Sequence, residues 1–533
     1  MERTSHFRTE PPEVRVVAVI DIGATSVRMM IAEIREGGVT NELESLSQAV
    51  QLGRDSFLHG EISRATIEDC VHVLKVYQQK LREYGIDHPD DIRVVATSAV
   101  READNRLAFA DRIYIATGLA IEPFDEASLH RTTFIGIKPI LDTYPQLNQG
   151  QTIVCEVGGG TTEILVMEDG SVSFANTYRL GALRLIKTLE ALQTPLASSD
   201  RLIESQIEKT GNQVIGAIRE ADVRHLVVMG GEMRLAASQI TGNSQGAVLV
   251  PIGIKDFSEF TRQTLAATPD LLVKKYHLSV SESQSLAPAL LVNLHLAKRL
   301  GVESLHVANV NLREGLVKDF LSGDDVIGQA DQQIVAGAMT FGRRFGFDEP
   351  HACHVDQLAT QLFAQTTELH QLNQRWLLLL RMSAILHEVG RAISERSYHK
   401  HSMYIIRNAN FFGLSSRDLA LVGLVARYHR RALPQLRHEV YSQLKRDDRA
   451  SVSKLSAILR VAKSLDASRS QRVKEIESEV SGNVMRIYVP GMTDLSLEQL
   501  ELRRERVFFE NIFGIKPELT SLPSESISER KLD

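Results

Sequence analysis

Residues 152–170 read TIVCEVGGGTTEILVMEDG: an apolar strand with an acid near its end, a turn of glycines and threonines, a returning apolar strand and a polar glycine turn. The same order occurs earlier in AVIDIGATSVRMMIAEIREGG, residues 18–38, and the two copies superimpose with Glu156 on Asp21, 135 positions apart. A supersecondary unit repeated within one chain signals a duplicated fold. Each copy opens a βββαβ-like half, so the expected architecture is α/β, with two lobes facing a shared cleft. A further strand, HLVVMGGEM at His225–Met233, also ends in glycines, as expected where a sheet edge meets a ligand.

Between the repeats, Ile67, Val71, Leu74 and Leu81 keep a helical period, and IRVVA at 92–96 is a strand running into TSAVR. From about Val326 strand patterns give way to long helical periods, so a separate helical domain is expected there. The expected division is a flexible N-terminus at 1–13, lobe I at 14–138, lobe II at 139–322, a helical domain at 323–515 and a polar tail at 516–533.

The chain has 533 residues, 43% hydrophobic and 24% charged, with a formal net charge of −6, which describes an ordinary multidomain globular protein. Cys70, Cys155 and Cys353 are too scattered for a disulfide framework and include no CxxC pair. The N-terminus is charged where an export signal is apolar, and the densest apolar run, Trp376–Leu380, is far short of the roughly 20 residues that span a bilayer. The expectation is a cytoplasmic protein with no membrane partner.

The chemistry of the two turns is that of an oxyanion grip. Glycine admits close backbone approach, successive amides form an anion-binding nest, and Thr25 and Ser26 add hydroxyls, while Asp21 suits a hydrated divalent cation. One such turn is commonly a hairpin adopted for conformational reasons. Two copies, the second with Gly158, Gly159 and Gly160 in succession, favour a phosphate ligand. The sequence lacks a GxxxxGK[ST] loop and a GxSxG elbow, and HEVGR at His387 lacks the second histidine of a zincin.

Four blocks together, AVIDIGATSVRMMIAEI, VVATSAVREADNRLAFADRIYIATGL, EVGGGTTEILV and LRMSAILHEVGRAISERSYHKHSMYIIRNA with VARYHRR, resemble the exopolyphosphatase and guanosine pentaphosphatase (Ppx/GppA) family, collinearly from about residue 14 to 515. The resemblance implies a duplicated actin-like, sugar-kinase-like (RNase H-like) fold followed by an all-α HD-related domain, and suggests a homodimer. It also implies hydrolysis of a terminal phosphoanhydride by a carboxylate-activated water, with Mg²⁺, accompanied by a monovalent cation, and backbone amides absorbing charge. Matched onto this chain, Gly23, Ala24, Thr25, Ser26, Ser98, Gly158, Gly159, Gly160, Thr161 and Thr162 bind phosphate. Asp21 and Glu156 hold the metal, Glu163 closes the second motif, and Arg101 pairs with phosphate oxygens.

Three departures stand out. DIGATS replaces DLGSNS, EVGGGTTE replaces DIGGGSTE, and where the family shows SGEEEAR this chain reads FDEASLHR, with Ala127, Ser128 and Leu129 on the three acids. A one-residue insertion brings Glu126 onto the first acid, making Glu126 the candidate water activator; the structural alternative is that Asp125 and Glu126 cap the following helix.

In the helical domain, His351, His387, Glu388 and Asp466 fall where an HD phosphohydrolase places metal ligands. Glutamate in place of aspartate moves the carboxylate by about 1.5 Å, beyond the roughly 0.2 Å tolerance of a metal site, so the expectation is a vestigial site. From Arg381 to Lys463 there are 16 Lys or Arg against 6 Asp or Glu. His399, Lys400, His401, Arg427, His429, Arg430 and Arg431 are candidates to line a polyanion channel. Nucleic acid fits less well, because the segment lacks interleaved aromatics. The reading that results is a hydrolase of inorganic polyphosphate or guanosine pentaphosphate. Its rivals are a catalytically impaired sensor of the same ligands and an actin-like ATPase or sugar kinase.

Overall fold

The computed structural model describes residues 14–35, 40–122, 124–191, 205, 208, 212, 223–242, 247–320, 325–492 and 494–522. The N-terminal segment 1–13 and the tail end 523–533 lie outside the described residues. The chain forms two compact units, residues 1–330 and 331–533. The division falls later than the expected 322/323, within the helix Asp325–Arg344.

The first unit holds both repeats. In the first, β1 (Val14–Ile22), β2 (Ser26–Arg35), β3 (Thr40–Ala49), β4 (Ile92–Ala96) and β5 (Ile121–Glu122) form a sheet in the order β3-β2-β1-β4-β5. In the second, β6 (Gln151–Val157), β7 (Thr162–Glu168), β8 (Ser171–Tyr178), β9 (Val223–Met229), β10 (Leu249–Gly253) and β11 (Ser304–Ala308) follow the order β10-β11-β9-β6-β7-β8. Apart from the added edge strand β10, the orders are the same: an antiparallel meander of three strands, extended by parallel strands beside the first. The repeat read in the sequence is thus a repeat of topology.

β1 is apolar on both faces because helices cover both. Ala18, Ile20 and Ile22 pack with Cys70, Leu74 and Tyr77 of the helix Arg64–Glu83. Val17 and Val19 pack with Leu129 of the helix Glu126–Thr143 and with Leu316 and Val317 of the helix Leu312–Asp319. Strand β6 is buried likewise, its Ile153 and Cys155 sharing a core with Leu286 and Leu290 of the helix Val280–Arg299.

The second unit is mainly helical but not all-α. β12 (Glu477–Ser481), β13 (Val484–Pro490) and β14 (Lys516–Leu522) form a three-stranded sheet. In β13, Met485, Ile487 and Val489 are buried while Arg486 is exposed, the period-two pattern of a half-buried strand. The expected polar tail therefore needs correction at 516–522, which pairs parallel with β13 from Val484↔Lys516 to Pro490↔Leu522. An edge strand with one neighbour tolerates polar residues, which is why KPELTSL reads as a tail. Among the described residues no helix is long and apolar enough to cross a membrane.

Candidate active site

The two turns close alike. Gly23 N–H donates to Ser26 O (2.9 Å) between β1 and β2, and Gly158 N–H donates to Thr161 O (2.8 Å) between β6 and β7. A helix start docks on each: Gly53 N–H donates to Ala24 O (2.8 Å), and Leu183 N–H to Gly159 O (2.9 Å). The turns also touch each other. A Cβ on Gly159 would lie 3.1 Å from that of Ala24, and one on Gly160 only 2.3 Å from Phe57 and 2.7 Å from Ser98 Oγ. The glycine triplet thus gives the first lobe room to approach. Glu102 anchors the approach by pairing with Arg184, whose Nε donates to Gly160 O at 3.0 Å.

Between the turns lies a cavity of about 320 Å³. Its walls include Asp21, Gly23, Ala24, Thr25, Ser26, Ser98, Glu156, Gly158, Gly159 and Thr161, so ten of the expected residues share one space. The amides of Gly23 and Gly158 are committed to closing the turns; those of Ala24, Thr25 and Gly159 have no backbone acceptor among the described residues. Two expected phosphate contacts need correction. Thr162 turns inward and donates to Leu180 O, because β7 alternates its side chains, and Gly160 packs on Phe57 and Ser98 rather than lining the cavity.

Arg101 and Glu126 lie outside the cavity lining. Glu126 is the first residue of its helix, 55% exposed at the side chain and 3.9 Å from Arg101 Nη2. Burial and the charge of Glu163 raise its pKa, against Arg101, which lowers it. Asp125 caps the helix, accepting from Ser128 N and Oγ, both at 2.9 Å.

The cavity contains charged residues that the motif reading passed over. Arg28, Glu232, Arg234 and Arg313 line it beside Glu163 of the second motif. Arg313 stands 3.8 Å from Asp21, whose pKa burial raises against the pull of Arg28 and Arg313. Glu156 is pushed up to about 7, by burial first and then by Glu163, its direct partner across the β6–β7 ladder. Arg28 carried a signal in the sequence, a guanidinium set between the apolar Val27 and Met29 of β2. Arg313 lies almost 300 residues from the first turn, and only folding brings it there.

Whether these residues suit a metal can be tested by chemistry. Asp21 Oδ1 and Glu163 Oε1 are buried without hydrogen-bond partners, and all candidate donors are carboxylate oxygens. Such a set suits Mg²⁺, which takes one or two carboxylates, substrate phosphate and water.

In the second unit, ligand atoms of His351, His387 and Glu388 lie within 4.8 Å of one another. His351 Nδ1 faces Asp466 Oδ2 (2.7 Å) and His387 Nδ1 faces Ala384 O (2.7 Å), leaving both Nε2 atoms buried without hydrogen-bond partners, that of His387 3.9 Å from Glu388 Oε1. Glu388 is held by Arg469 (2.7 and 2.8 Å), Arg391 (3.1 Å) and Tyr398 (3.0 Å). His429, expected in a polyanion channel, is instead wholly buried against Ala426 O and Tyr398, so it cannot line one. His399 is also buried, its pKa lowered to about 4 by burial and then by Arg430, Arg431, Lys400 and Arg427. Lys400 and Arg431 are exposed, with His401, Arg427 and Arg430 partly so.

Residues 30–323 match the Ppx/GppA phosphatase family model, and residues 336–505 match that of Ppx/GppA phosphatase, domain III. The chain is 23% identical over 412 residues to a guanosine-5'-triphosphate,3'-diphosphate pyrophosphatase of Aeromonas hydrophila, covering 76% of this chain and 79% of that one. It is 24% identical over 485 residues to the enzyme of the same name from Pseudoalteromonas atlantica, covering 89% and 91%. A crystal structure of an exopolyphosphatase from Cytophaga hutchinsonii shares the fold, with TM-score 0.52, 19% identity and coverage of 58% of this chain and 99% of that one.

Proposed function

The chain belongs to the Ppx/GppA phosphatase family, and from that premise we propose that it hydrolyses the terminal phosphoanhydride of guanosine pentaphosphate or of inorganic polyphosphate, releasing orthophosphate. One observation carries this reading: two turns with matching closures face a single cavity lined by carboxylates and arginines. Phosphoryl transfer needs positioning and charge stabilisation more than covalent chemistry, and this cavity supplies both.

The terminal phosphate takes the amides of Ala24, Thr25 and Gly159 and the hydroxyls of Thr25, Ser26, Ser98 and Thr161. Arg28, Arg234 and Arg313 hold further phosphate oxygens. Asp21, Glu156 and Glu163 would hold Mg²⁺, which when bound offsets the charge developing on the phosphate oxygens. Glu126 accepts the proton of the attacking water, its raised pKa favouring proton uptake, and Arg101 orients it. Carboxylates that converge on the same cavity as the two turns support turnover rather than binding alone.

In the second unit we propose a vestigial HD-type centre, supported by the two guanidiniums that already neutralise Glu388, and a polyanion surface formed by Lys400, His401, Arg427, Arg430 and Arg431. A cytoplasmic homodimer, with a monovalent cation beside Mg²⁺, completes the proposal.

Purified protein with Mg²⁺ should release orthophosphate from guanosine pentaphosphate, from long-chain polyphosphate, or from both. Glu126→Gln should lower kcat by about 10²- to 10⁴-fold with little change in KM, the usual range for a general base. Absence of release from every phosphoanhydride offered would overturn the assignment.

A further inference from the structure

Behind the cavity, Glu163 is held by two residues to which the sequence reading gave no role, His130 of the segment FDEASLHR and Thr177 of β8. Its Oε2 accepts the Thr177 hydroxyl from β8 and faces His130 Nε2 at 3.2 Å, while Thr177 Oγ1 lies 3.0 Å from that same nitrogen. Its other oxygen, Oε1, is buried with no partner, and Glu163 lines the cavity. His130 and Glu163 are both buried.

The arrangement fixes the histidine's tautomer. An ionised carboxylate only accepts, and the Thr177 hydroxyl has one hydrogen, already given to Oε2; both atoms facing Nε2 are therefore acceptors, and Nε2 must carry a hydrogen. Two donors thus converge on one oxygen of a carboxylate that stands directly across the ladder from Glu156. Without them, Glu163 would be free to rotate its charge away from that of Glu156.

We propose that His130 is a positioning residue: with Thr177 it locks Glu163 through Oε2, so that Oε1 faces the cavity as a cation ligand. The inference rests on the metal role of Glu163 in the proposed function and adds the residue that enforces it. His130 lies one helical turn after Glu126, in the segment where the family's acidic cluster is missing. One helix therefore supplies both the proposed base and the clamp on a metal ligand.

Manganese(II) in place of Mg²⁺ gives a readout independent of turnover, because free Mn²⁺ is counted by electron paramagnetic resonance. Removing a hydrogen-bond partner of a ligand typically weakens metal affinity by about 10- to 100-fold. His130→Leu should weaken Mn²⁺ binding by that much and raise the Mg²⁺ concentration needed for half-maximal phosphate release, with substrate KM little changed at saturating metal. His130→Gln, which keeps an N–H near the same place, should recover affinity to within about threefold of wild type. Equal Mn²⁺ affinity in wild type and His130→Leu would overturn the inference, as would failure of His130→Gln to recover it. If His130→Leu does not fold, Thr177→Val against Thr177→Ser makes the same decision. Wild-type protein that releases no phosphate would overturn the functional reading; an active wild type with an unaffected His130→Leu overturns only the clamp.

Discussion

A methyl group has nowhere to go at Gly181. A Cβ there would sit 2.4 Å from the carbonyl carbon of Gly160 and 2.5 Å from that of Gly159, and backbone cannot step aside as a side chain can. At Gly159 the nearest contact is 3.1 Å, to the Ala24 methyl, so a shift of a few tenths of an ångström suffices. Gly181→Ala should therefore destabilise the first unit by about 1–3 kcal/mol through overpacking and raise KM, with Gly159→Ala milder in both. Urea midpoints together with phosphate-release kinetics check the order of the two. At this scale the turns were readable from residue type alone, because glycine, hydroxyl and acid recur in the same order. His130, Thr177 and Arg313 were not, since their roles depend on which strands and helices meet in space.

Among elements, β1, β2, β4, β6 and β7 were legible because buried strands are rich in β-branched residues, and the helix Arg64–Glu83 because its apolar residues keep a helical period. The sheet of the second unit was obscured by context: β13 follows a long run of helical periods, and its partner β14 is polar and follows a long helix. That sheet has a measurable role. A chain ending at Gly514 loses β14, leaving β13 without one hydrogen-bonded neighbour and deleting the buried side chain of Leu519. Losing the burial of one such side chain costs about 1.5–3 kcal/mol before any ladder bonds are counted. The truncated protein should show a lower melting temperature for the second unit, while the first unit and its phosphate release stay unchanged. Scanning calorimetry with an activity assay separates the two effects.

Across the whole molecule the two units should respond to pH in opposite directions. In the second, burial lowers the pKa of His387 to about 4 and that of His429 well below its usual value. The unfolded chain takes up protons below pH 6.5 that the folded unit refuses, so stability present above pH 6.5 is lost as pH falls towards 4. In the first, Glu156 is raised to about 7, so the folded unit keeps a proton that the unfolded chain releases above pH 4.5. Stability there is greatest below pH 4.5 and is lost as pH rises through 7. A shift of this size corresponds to about 3 kcal/mol per group. Calorimetry without divalent ions, between pH 5 and 7.5, should show one transition rising and the other falling; Mg²⁺ should cancel most of the alkaline loss. Parallel movement of both transitions would refute the assignment of these groups. Phe57, Ala24 and Leu183 interlock around the glycine triplet, so the lobes of the first unit meet beside the cavity proposed to hold the anion. A jaw hinged far from its bite must swing to grasp, whereas packing this close beside the turns keeps the two halves of the proposed grip near each other before any substrate arrives.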